Sequence, residues 1–250
     1  AVTDLPLPTS ANPQAVSAYR VGLQALQDAS WGVALLSFRR AAELDPGLAS
    51  AHLRLAQIGV DTGLPTTEVR ASFQRAVQLR AQLSPRDQQL LEVLEPLIAY
   101  DPPDVGAHDR RLAAARERYP GDAEFLVMTL LSPSLAPDAM LALADKALAM
   151  DPRSADALQM RARALGLLDR AAEAEQSIER CLAVSPASND CLRERAFMFA
   201  ERGECSRAEG DLRRWMAVNP STDEPYLALA TMLVTQGRPR ETVGAVLEQR

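Results

Sequence analysis

The sequence predicts an all-α chain, a solenoid of about seven helix-turn-helix pairs and about fourteen helices, on three observations. Four amphipathic segments close alike, on a polar residue and then proline: "ALLSFRRAAELDP" (34–46), "LALADKALAMDP" (141–152), "EQSIERCLAVSP" (175–186) and "EGDLRRWMAVNP" (209–220). The last three of these prolines, Pro152, Pro186 and Pro220, stand 34 residues apart. Every periodic segment has helical rather than strand spacing, in a composition led by the strong helix formers alanine and leucine.

The elements follow in order. Residues 1–12, "AVTDLPLPTSAN", read as a linker or extended segment, and 13–250 as the helical domain. The first pair carries Ala18, Val21, Gly22 and Ala25 on one helix, then Ala34, Phe38 and Pro46 on the next. The second carries His52, Leu55, Ala56 and Gly59, then Val69 and Phe73. Ser84-Pro85-Arg86-Asp87 is a helix start, with a capping serine, a proline in the first turn and an acid beside it. That helix runs to about Ala99 and breaks at "YDPPDVG" (100–106); the next contains Leu112 and Ala115 and ends at Pro120. A short helix from Phe125 to Leu131 meets "SPSLAP" (132–137), so the third and fourth pairs are degenerate. Regularity returns with Leu158, Arg161, Ala162 and Leu165, then Ala174, Ile178 and Pro186. Leu192, Arg195, Ala196 and Phe199 follow, then Ala208, Leu212 and Pro220; the last pair opens with Tyr226, Leu229, Ala230 and Leu233.

The physical logic is that small residues at Gly22, Ala56, Ala162, Ala196 and Ala230 let paired helices approach. Phe38, Phe73, Ile178 and Leu212 then fill the space between pairs. Proline cannot continue a helix and biases its predecessor toward extended geometry, so it marks each handover. One pair cannot bury its apolar face alone, and neighbours must stack.

A net charge of −6 with no basic block argues against nucleic acid as a partner. No apolar run approaches the ~18 residues of a membrane span, which argues against direct membrane insertion. The chain begins at Ala1 without methionine and shows no signal peptide, so it reads as an excised piece or processed product, leaving room for targeting information upstream. Two histidines, His52 and His108, have no carboxylate or cysteine motif beside them, no clustered metal ligands occur, and "HDRR" (108–111) is not a kinase catalytic loop. The expectation is a chain with no catalytic residues, no cofactor and no metal. His52 fills a slot that the repeat gives to a large packing residue, and His108 is expected at the surface.

Cys181 and Cys191 flank the Pro186 turn, which brings their helix ends together. A disulfide between them is geometrically possible, the alternative being two buried thiols. Cys205 falls at the other end of its pair, out of reach. Arg161 and Arg195 share a slot in adjacent repeats, where their stems pack and their heads reach water or an acid, the alternative being a charged ladder for a ligand.

These small and large positions resemble the tetratricopeptide-repeat family over roughly 13–250. The resemblance implies a right-handed superhelix whose inner wall, formed by the first helices, binds a peptide or protein segment. On that register the wall includes Tyr19, Leu23, Arg54, Gln57, Gln159, Arg163, Arg193, Phe197, Leu227 and Thr231. Arg163 and Arg193 beside Phe197 suggest a pocket for an acidic or C-terminal peptide, with Asp190 and Glu194 near enough to compete. The carboxylate clamp of some relatives needs lysines and asparagines where this chain has Tyr19, Leu23, Ser50 and Arg54, which argues against a chaperone-tail receptor. "TDLPLPTSANPQAVSAYRVGLQAL", "LSPRDQQLLEVLEPL" and "RYPGDAEF" are similar to the repeat region that follows the catalytic domain of some bacterial serine/threonine protein kinases. That similarity implies a sensor or docking region of a signalling kinase, cytoplasmic unless a membrane span precedes Ala1. The alternatives are a regulatory domain acting on its own kinase domain and an adaptor scaffold in an assembly or secretion complex.

Overall fold

The computed structural model describes residues 2–131, 135–219 and 222–249. They hold fourteen α-helices and, among the described residues, no strand. In chain order these are α1 (Pro13–Gln27), α2 (Trp31–Leu44), α3 (Ala49–Thr62), α4 (Thr66–Gln78), α5 (Pro85–Ile98), α6 (Val105–Arg118) and α7 (Ala123–Leu130). They continue as α8 (Pro137–Met150), α9 (Ala155–Leu167), α10 (Ala171–Val184), α11 (Asn189–Glu201), α12 (Cys205–Val218), α13 (Glu224–Thr235) and α14 (Arg240–Leu247). Two compact units result, Ala1–Gln27 with Val33–Ser134, and Asp28–Gly32 with Leu135–Arg250.

The repeated proline ending works as its chemistry requires. The helices α2, α8 and α10 stop at Leu44, Met150 and Val184, two residues before Pro46, Pro152 and Pro186. The fourth such proline, Pro220, lies outside the described residues. The turns then re-enter helix through a cap: the Ser154 hydroxyl accepts from the Ala157 amide at 3.3 Å, and Ser188 from Cys191 at 3.4 Å. Ser84 caps α5 in the same way, accepting from the Asp87 amide at 3.1 Å with Pro85 in the first turn. Asp104 and Asp122 begin α6 and α7 with carboxylate caps.

In the first unit, α3 packs on α4 and α5 on α6. Its core joins Leu53, Ala56, Val69, Phe73, Leu90, Leu94, Leu112 and Phe125. Gly22 shows why small residues recur: a Cβ there would lie 2.6 Å from the Phe38 ring. Before α1, residues Val2–Asp4 form a short 3-10 turn with Val2 buried, and the Asn12 side chain donates to the Leu44 carbonyl at 3.0 Å. In the second unit, α8, α9 and α10 pack in sequence, α11 pairs with α12, and α13 packs between α12 and α14. Ala162, Ala196 and Ala230 are buried at their contacts, as are Ile178 and Leu212.

Candidate protein-binding face

In the second unit the first helices of successive pairs, α9 and α11, lie in contact. The 34-residue register therefore aligns Gln159 with Arg193 and Arg163 with Phe197; on α13 the equivalents are Leu227 and Thr231. The structure sorts these residues by what surrounds them. Gln159 is buried, its amide donating to the Glu194 carboxylate at 2.9 Å. Arg193 is half-buried and held by three acids, Asp190 at 3.1 Å, Glu194 at 3.5 Å and Glu224 at 3.7 Å. Arg163 is exposed and makes no hydrogen bond or ion pair among the described residues. Phe197 and Leu227 stand 44% and 46% exposed, too much for core residues. Arg163 and Phe197 line one groove of about 490 Å³ among α9, α10 and α11, and Arg193 is outside it. The expected two-arginine pocket is thus reduced to one free guanidinium beside a ring, because local acids hold the other.

Arg161 and Arg195 take the packed alternative. Arg161 donates to Asp145 at 2.7 Å, and Arg195 makes a two-pronged bond to Asp211 at 2.7 and 2.8 Å while reaching Glu179 at 3.0 Å. The structure joins Cys181 to Cys191 across the Pro186 turn, with Cα atoms 6.3 Å apart and both residues buried; Cys205 is free.

In the first unit, Tyr19, Arg54 and Gln57 lie beneath the surface, Arg54 with no exposed area. The reason is a carboxylate that the repeat register does not mark. Glu124, in the first turn of α7, pairs with Arg54 and Arg86 and accepts from the Gln57 amide at 2.8 Å. Gln57 also accepts from Arg54 at 2.7 Å. Arg86 in turn forks onto Asp122, at 2.8 and 3.1 Å, and lies over the Phe125 ring. Burial alone would raise the Glu124 carboxyl; the two guanidiniums overcome it and hold the group down at about 2. Burial pushes the Tyr19 phenol up, against the pull of the Arg54 charge. Three helices, α3, α5 and α7, are tied together by this cluster, while Arg54 Nε and Nη2 are buried without a hydrogen-bond partner among the described residues.

The histidines have structural partners. His52 Nε2 lies 3.1 Å from the Pro46 carbonyl, and burial, foremost, pushes its imidazole down. His108 was expected at the surface but is half-buried, its Nδ1 lying 2.8 Å from the Val93 carbonyl of the facing helix α5. Neither stands near a cluster of metal-ligating groups among the described residues. No helix among them is long and apolar enough to cross a membrane.

A model of the tetratricopeptide repeat matches residues 143–176, from the middle of α8 into α10. No curated protein matches the sequence. Among solved structures, the Cut9–Hcn1 hetero-tetramer of the APC/C is similar at 15% identity and a TM-score of 0.51, over 88% of this chain and 43% of that one. MamA is similar at 12% identity and a TM-score of 0.36, over 94% of this chain and 89% of that one. The match at 143–176 spans one helix-turn-helix repeat, and the other described residues continue as helices of similar length on either side of it.

Proposed function

We propose that the chain is a non-catalytic protein-interaction module whose second unit binds a partner segment on its first-helix face. The observation that carries this reading is the exposure of Phe197 and Leu227 on the first helices of neighbouring pairs, α11 and α13. Large apolar side chains left in water on successive first helices are surface that a partner can cover. The Cut9–Hcn1 structure is, by its own description, a hetero-tetramer, and assembly with another chain is the role carried over here. The similarity of three segments to the repeat region of bacterial kinases supports a finer reading, a sensor or docking region of a signalling kinase.

A photo-crosslinking residue placed at Phe197 or Leu227 should join the chain to its partner. The same residue at Leu36, 65% exposed on the second helix of the first pair, should not. Crosslinks from Leu36 alone would reject the face. For the kinase reading, Phe197→Asp and Leu227→Asp in the full-length gene product should alter phosphorylation of its substrate; unchanged phosphorylation with crosslinking lost would leave an adaptor scaffold.

A further inference from the structure

The groove among α9, α10 and α11 has a composition that selects its occupant. Ile178 lies at its base and Phe197 and Leu167 form exposed apolar walls, Leu167 at 60%. Its charges are unequally satisfied. Glu194 already accepts from Gln159 and pairs with Arg193. Arg202 is bound to Glu175 at 2.7 Å and lies beside Glu201. Arg163 has no such partner among the described residues. Asp169, in the turn after α9, lines the same groove. It makes no ion pair with Arg163 among the described residues, and its charge opposes a carboxylate at that end.

We propose that this groove binds an extended internal segment of a protein partner in which an acidic side chain is flanked by apolar residues. The carboxylate pairs with Arg163, whose planar guanidinium offers two parallel donors, and the apolar neighbours cover Phe197 and Leu167. An internal segment fits better than a chain end, because Asp169 adds a negative charge to the groove that a terminal carboxylate would meet. The inference rests on the interaction-module reading above and adds the chemistry of the partner.

The probes are short acetylated and amidated peptides with randomised flanks, in pools whose centre is glutamate, glutamine or lysine between two leucines. A fourth pool ends in a free carboxylate. Binding is measured on the whole chain and on Arg163→Gln, Arg163→Glu and Phe197→Ser; all three changes are at exposed side chains, and unchanged helicity and melting confirm folding. The glutamate pool should bind roughly five- to tenfold tighter than the glutamine pool. Arg163→Gln should erase that preference and Arg163→Glu should turn it toward lysine. Equal binding of glutamate and glutamine, a preference surviving Arg163→Gln, a stronger free-carboxylate pool, or no binding by any pool each overturns the proposal. If Phe197→Ser still abolishes binding or partner crosslinking in those cases, the face stands and only its acidic ligand is wrong. If it changes neither, the functional reading falls as well.

Discussion

Glu124 answers to two guanidiniums, and its side chain is only 9% exposed, which makes it the residue through which acid should reach the fold. Its carboxyl titrates at about 2 in the folded chain against 4.5 for the free group. A folded value below the unfolded one means stability fully present above pH 4.5 and lost as the pH falls toward 2. The shift corresponds to a loss on the order of 3 kcal/mol. Acid titration of melting should show it, and Glu124→Gln should flatten that slope while lowering stability at neutral pH by about 3–5 kcal/mol, since the buried Arg54 guanidinium loses its counter-charge while Arg86 keeps Asp122. An acid slope unchanged in the variant would place the sensitivity elsewhere. The repeat register marked Arg54 and Gln57 as wall residues and carried no sign of their burial. The partner that encloses them lies 70 residues on from Arg54, in a degenerate repeat where the period that identifies positions breaks down. Arg86 read as part of a helix start and nothing local singled out Asp122; only folding shows them to share an acid cluster.

At the scale of the helix pair, the small positions and the turns were legible because each follows from local sterics. Gly22 gives a test whose sign two magnitudes decide. Alanine gains up to about 1 kcal/mol of helix propensity over glycine, but its Cβ would stand 2.6 Å from the Phe38 ring. Overpacking of that kind costs about 1–3 kcal/mol, so Gly22→Ala should destabilise or at best break even; a rise in melting temperature would show the ring yielding freely. Ala196, buried under α12, permits a larger version: Ala196→Phe should lower stability by about 1–3 kcal/mol or more. The Pro186 turn carries the other element-scale test. Cys181 and Cys191 are joined across a separation of 10 residues, and closing so short a loop contributes about 2–3 kcal/mol. Unreduced, denatured protein should show one reactive thiol, Cys205, and reduction should release all three while lowering the melting temperature. A count of three before reduction would remove the bond.

Across the whole molecule, periodicity told the number and kind of helices because stacked pairs repeat the same local solution, and Pro46, Pro152 and Pro186 each end a helix as proline must. What it could not tell was how much each helix buries, since that depends on neighbours on both sides. Stability in stacked repeats is a sum of such neighbour terms, so the burial pattern predicts where the chain opens. The two central first helices, α3 and α9, bury most of their residues, including polar ones such as Ser50 and Gln159. The terminal α14 buries only Val246 among its described residues and packs chiefly on α13. Native-state hydrogen exchange should therefore rank α3 and α9 as the most protected helices of their units, with α14 exchanging through local fraying that does not require its unit to unfold. Denaturant distinguishes the two routes: exchange of α9 amides should quicken steeply with added urea, and exchange of α14 amides should hardly respond. If α14 proved as slow as α9 and equally denaturant-sensitive, something beyond these contacts would be holding the C-terminal pair closed, and the stack would not end where its buried surface does.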